Sequence, residues 1–109
     1  MNQGGFNLGN LMNQMQNMKN SVEKIKKDLE NKTVEGSAGG GVVKAIATGN
    51  LKLRKVIISP ELITENDKEM LEELVVAAVN DAFTRAEELS KKEMSSFAGS
   101  LGLPLDGLL

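Results

Sequence analysis

Seven apolar residues, Leu8, Leu11, Met15, Met18, Val22, Ile25 and Leu29, fall at alternating spacings of three and four near the start of the chain. That spacing is the seam of a coiled coil, in which each seam side chain fills a hole on a facing helix. A helix over residues 7–31 would be about 37 Å long at 1.5 Å per residue. The next seam position holds Lys32, so the helix is predicted to end there. Asn, Gln and Gly crowd the residues before Leu8, and residues 1–7 are expected to form a flexible tail.

After the seam the period changes. Thr33–Ala38 is short and β-tolerant, and Gly39-Gly40-Gly41 then permits the positive φ of a turn or bulge. Val42–Thr48 reads as a second strand, Gly49-Asn50 as a tight reversal, and Leu51–Ser59 as a third strand. Ser59-Pro60 stops that strand and suits the first position of a helical turn. Asn66 is the predicted cap of a second long helix, with Glu69 as its reciprocal partner. The pattern Leu71, Leu74, Val75, Ala78, Ala82, Ala86, Leu89 carries this helix from Asp67 to about Phe97. Its alanines allow another element to approach the backbone closely. Gly99, Gly102 and Pro104 are expected to end it, leaving residues 99–109 as a second flexible tail.

The fold class is therefore α+β: helix, three-stranded antiparallel meander, helix, in a single domain over residues 1–109. Neither long helix can bury its apolar stripe on so short a sheet, and a three-stranded meander leaves two edge strands bare. Both problems disappear if two chains associate. The expectation is an obligate homodimer with Leu11, Met15, Met18, Val22, Ile25 and Leu29 at its interface.

Composition excludes most chemistry. The chain has no Cys and no His, which removes thiol catalysis, thiolate zinc sites and the commonest general base. Gly36 and the glycine triplet lack the Gly-Lys-Ser/Thr ending of a phosphate loop and open a strand, so they read as a structural turn. Glu69, Glu72, Glu73, Glu87 and Glu88 read as solvated helix flank, and Asp81 beside Asn80 as a buried polar contact across a dimer. No catalytic, cofactor-binding or metal-binding residue is expected, and no small-molecule substrate. No apolar run approaches the roughly 18 residues of a membrane span, so no membrane partner is expected and the location reads as cytoplasmic. With only three aromatics, all Phe, a base-stacking platform is not expected either. What remains is a binding protein.

The stretch VEGSAGGGVVKA (Val34–Ala45), then Gly49, VIISPEL (Val56–Leu62) and DKEMLEELVVAAVNDAFTRAEE (Asp67–Glu88) resembles the YbaB/EbfC family of bacterial nucleoid-associated, DNA-binding proteins. The closing GSLGLP (Gly99–Pro104) and the Met/Gln-rich first helix extend the likeness over residues 8–104. The resemblance implies a tweezer-shaped homodimer with a shared central sheet and projecting helical arms. It also implies double-stranded DNA as partner, a nucleoid location, and an effect on nucleoid organisation and gene expression. It supplies no contact motif to transfer residue by residue.

The contact residues must therefore come from charge and geometry. The net charge is -2, yet residues 1–35 sum to +1, residues 36–60 to +4 and residues 61–109 to -7. An acidic protein so polarised can still present a basic surface. The cations divide into an arm set, Lys19, Lys24, Lys26, Lys27, Arg85, Lys91 and Lys92, and a sheet set, Lys52, Arg54 and Lys55. Strand alternation puts Lys52 and Arg54 on one face and Lys55 on the other. The arm set is the predicted DNA-binding group, since arms reach around a duplex while a sheet at the dimer centre is covered. Phosphate contacts of this kind carry affinity and little sequence information. A competing expectation is a dimeric protein-interaction module or chaperone that holds partners between Met-rich coiled-coil arms.

Overall fold

The computed structural model describes residues 8–100, and the tail expected over residues 1–7 lies outside them. The apolar seam forms α1, Leu8–Asn31, which ends one residue before the lysine that breaks the pattern. The end of the helix finds a partner beyond it: the Gly49 amide donates to Leu29 O at 2.9 Å and to the O of Lys32, just past the helix, at 3.0 Å. A Cβ at Gly49 would lie 3.0 Å from Leu29 O and 2.8 Å from Leu29 Cδ2, so a side chain at position 49 would crowd the turn that caps the helix.

Three antiparallel strands follow as a meander in the order β1 (Thr33–Ala38), β2 (Val43–Thr48), β3 (Leu53–Ile58). Gly39, Gly40 and Gly41, all at positive φ, form the 3-10 turn between the first two. The β2–β3 turn is closed by the Leu51 amide donating to Thr48 O at 3.0 Å. Leu51 takes a left-handed φ of 64°, which is why β3 begins at Leu53 and not at the expected Leu51. One irregularity interrupts the ladder. Ile46 pairs with Lys55 but Ala47 pairs with Leu53, so Arg54 is an extra residue, a β-bulge.

Pro60 opens the short helix α2, Pro60–Thr64, whose Leu62 is buried. The long helix α3 spans Lys68–Ser100. Its cap is Asp67, whose Oδ1 accepts the Met70 amide at 3.0 Å, and not the expected Asn66. Asn66 instead takes the left-handed φ of 58° needed at the reversal between the helices, a conformation Asn tolerates better than most residues. Glu69 accordingly does not stand at the capping-box position. Gly99 does not stop α3, which runs through it; a helical glycine costs about 1 kcal/mol relative to alanine and need not terminate. Gly102, Pro104 and the rest of the expected C-terminal tail lie outside the described residues.

The core lies between one face of the sheet and α3. Val43, Ala45 and Ala47 of β2 meet Ala78 and Ala82 of α3, all fully buried, with Leu62 closing one end. The alanines bring the elements close enough that Gly36 of β1 touches helix backbone: a Cβ there would lie 2.2 Å from Ala82 N. Alternation turns Lys44, Ile46, Lys55 and Ile57 to the opposite face, where Ile57 is 40% exposed.

The molecule is long. Its radius of gyration is 21.0 Å and it measures 79 × 24 × 17 Å, against about 13 Å for a compact chain of this length. Along α1 the seam passes from buried Leu29 through half-buried Ile25 and Val22 to exposed Met18, Met15, Leu11 and Leu8.

Candidate nucleic-acid interface

The α1 cations are all exposed. Lys26 sits three residues from Leu29 and leans into an open groove of about 590 Å³ between the last turns of α1, the Gly49–Leu51 turn and α3. Lys91 faces it from α3, so these two sequence-distant lysines share one groove with Glu30 and Glu87 over an apolar floor of Leu29 and Leu51. Arg85 and Lys92 line a second, shallower depression of about 370 Å³ beside β1, together with Glu35 and Glu88. Lys19, Lys24 and Lys27 line neither groove. The arm set is thus not one patch: the structure joins Lys26 to Lys91 and Arg85 to Lys92, each pair among carboxylates.

Arg85 is tied further. Its Nε donates to Asp81 Oδ2 at 3.3 Å, and the same oxygen accepts the Ser37 amide of β1 at 3.0 Å. The Ser37 amide is the larger reason, and the Arg85 guanidinium a lesser one, that the Asp81 carboxyl is held below the usual carboxylate range. Asp81 therefore finds its partners within the chain, at a position about one-third exposed, while Asn80 is exposed. A second tie crosses the molecule from the root of α1. The Lys32 ammonium pairs with Glu93 of α3, which raises the Lys32 pKa.

Lys52, Arg54 and Lys55 of the sheet set are exposed in the single chain and, like the arm cations other than Arg85, take no part in the ion pairs found among the described residues, Lys32–Glu93 and Arg85–Asp81. Arg54 Nη2 donates to the Glu30 carbonyl at 3.2 Å, where the C-terminal end of α1 presents partial negative charge. This contact was invisible to strand alternation, because the alternation breaks at the bulge that Arg54 occupies. A ladder slip depends on which residues the neighbouring strand offers, and nothing in Leu53-Arg54-Lys55 signals it.

Among the described residues no three acidic side chains converge to hold a metal ion, and no helix is long and apolar enough to cross a membrane.

The geometry can be set beside known proteins. Residues 3–101 match the YbaB/EbfC DNA-binding family. A nucleoid-associated protein of Ruminiclostridium cellulolyticum is 46% identical over 101 residues, covering 91% of this chain and 88% of that one. Another from Caldanaerobacter subterraneus is 45% identical over 101 residues, covering 93% and 91%. Among solved structures, that of an uncharacterized Helicobacter pylori protein superposes with a TM-score of 0.73 at 22% identity, over 84% of this chain and 97% of its own. That likeness establishes the fold: helix, three-stranded antiparallel sheet, helix.

Proposed function

The chain belongs to the YbaB/EbfC DNA-binding family, and from that premise we propose that it binds double-stranded DNA at the nucleoid as a homodimer, largely through phosphate contacts, and thereby affects nucleoid organisation and gene expression. The observation that carries the dimer is the uncovered half of the α1 seam. Leu8 is 59% exposed and Met15 62%, continuous with a root that the same chain does bury. Two copies laid seam to seam would cover Leu11, Met15, Met18, Val22 and Ile25 and complete the burial that Leu29 begins. The β1 edge is met by α3 through Asp81, so β3 is the edge left for a shared sheet in a tweezer-like arrangement. The DNA contacts fall to the arm cations Lys19, Lys24, Lys26, Lys27, Arg85, Lys91 and Lys92, which neutralise phosphates without reading bases.

A dimer carries a formal -4, twice the chain's -2. Duplex DNA is then repelled at long range, and attraction comes from local clusters acting within a Debye length of about 10 Å at 0.1 M salt. Nonspecific complexes of this kind have dissociation constants of about 10⁻⁴–10⁻⁶ M that weaken steeply with salt. The test is an anisotropy titration of unrelated labelled duplexes at low and physiological salt, with parent protein and a Lys24→Glu/Lys26→Glu/Lys27→Glu variant. The expected result is a similar loss of affinity for every duplex, with the circular dichroism melt unchanged. Binding by the parent that persists at high salt would instead favour partner capture by the Met-rich arms.

A further inference from the structure

We propose that the β2–β3 hairpin, through Lys52, Arg54 and Lys55, is a second phosphate-contact surface that adjoins the root of α1. The inference rests on the DNA-binding reading above and assigns to it residues that the expectation of a shared central sheet places at a covered dimer centre.

Three observations carry it. Residues 36–60 contain Lys44, Lys52, Arg54 and Lys55 and no acid, more cations than any other acid-free stretch of this chain holds. Four of the seven arm cations lie beside acids: Lys26 and Lys91 share their groove with Glu30 and Glu87, Arg85 is bonded to Asp81, and Lys92 lines a depression with Glu35 and Glu88. A carboxylate that shares a groove with a lysine lowers the local positive potential a phosphate meets, and an acid-free stretch carries no such cost.

The second observation is the bulge. Consecutive residues of a regular strand point to opposite faces, so Arg54 and Lys55 could not serve one surface. The extra residue at Arg54 breaks that alternation next to the turn, and bulges re-aim side chains in this way. The third is the anchor. Arg54 spends one guanidinium N–H on the Glu30 carbonyl and keeps the remainder of its five donors for an anion. That bond fixes the hairpin one helical turn from Lys26 and Lys27, so the hairpin and arm cations adjoin. A shared sheet formed along β3 would consume edge backbone groups and leave these side chains on its faces.

The experiment follows binding of two unrelated labelled duplexes across a salt series, for the parent and for Lys52→Glu/Lys55→Glu. Arg54 is left intact because its bond supports the fold. The expected result is affinity lowered at least about tenfold for both duplexes, with a shallower dependence of log K on log salt, by about 0.9 for each phosphate no longer neutralised. The neutral Lys52→Gln/Lys55→Gln variant should show a smaller loss and the same flattened slope, and it decides the matter if the Glu variant does not fold. Parental affinity and an unchanged slope in the folded variants would overturn the hairpin assignment and leave the DNA reading standing. A parent that binds neither duplex at low salt would overturn both.

Discussion

The two long helices treat their apolar stripes in opposite ways. α3 buries a stripe of small residues: Ala78, Ala82 and Ala86 are fully covered, and at Gly36 the strand backbone rests on helix backbone. α1 carries a stripe of large residues, and only its last turns are covered. The difference teaches what each stripe is for. Small side chains stabilise only when a backbone comes very close, so an alanine stripe needs a rigid, intramolecular partner. Leucine and methionine reach outward and can fill a partner's holes across a wider gap. The Ala/Gly contact holds this chain together, and the exposed Leu/Met seam is suited to a second one.

The largest effect is expected where the α3 contact is tightest. Gly36→Ala places a methyl 2.2 Å from Ala82 N and 2.6 Å from Ala78 O, both backbone atoms that cannot rotate away. Helix and strand must separate, at a cost of about 3 kcal/mol, the upper end of what overpacking typically costs. Gly40→Ala is the useful contrast. Its φ of 72° is strained for any L side chain, but nothing lies within 4 Å, so about 1 kcal/mol is expected. Thermal melts followed by circular dichroism should rank the two variants in that order, and equal melts would show that the close packing of β1 on α3 is not what holds the core.

On the α1 side, the effect should appear in association and leave the core intact. Leu11→Asp/Met15→Asp alters side chains that touch nothing essential within the chain, yet a covered large apolar side chain contributes about 1.5–3 kcal/mol. Sedimentation is expected to show dimer in the parent and folded monomer in the variant. Val22→Asp/Ile25→Asp, nearer the buried root, should damage folding as well. A parent that sediments as a stable folded monomer at micromolar concentration would remove the seam from the dimer and the dimer from the function.

Periodicity made the element order and the meander legible, because strong patterns of 3.5, 2 and 3.6 residues follow one another with glycines between them. The exact ends were less so. Asp67 caps α3 because Asn66 is spent on a left-handed φ, and residue types alone do not decide between two neighbouring capping residues. The glycine triplet drew attention through its number, but the glycine under the greatest steric demand is the single Gly36, whose role depends on a helix more than forty residues away. The candidate site was half legible. Charge segregation named the cations, but not which carboxylates share their grooves or that Arg54 lies in a bulge against the end of α1. Those facts are tertiary.

The smallest effect sharpens how α3 is held to the β1 edge compared with the looser tie of α1. Asp81 accepts the Ser37 amide and, more weakly, Arg85, which holds its carboxyl below the usual range in the folded chain. A carboxyl whose folded pKa lies below its unfolded value, about 3.9, stabilises the fold fully above that value. The contribution fades as the pH falls through the lowered folded pKa. Asp81→Asn keeps an oxygen for Ser37 but carries no charge for Arg85 and does not titrate here. Denaturant midpoints should therefore differ between parent and variant near neutral pH and converge on acidification below about pH 4. Because the pair is solvent-screened the difference is small, and added salt should shrink its Arg85 part. A gap that stays constant down to low pH would mean that Asp81 holds the edge by shape and not by charge, leaving the Gly36–Ala82 contact as the main tie between α3 and the sheet.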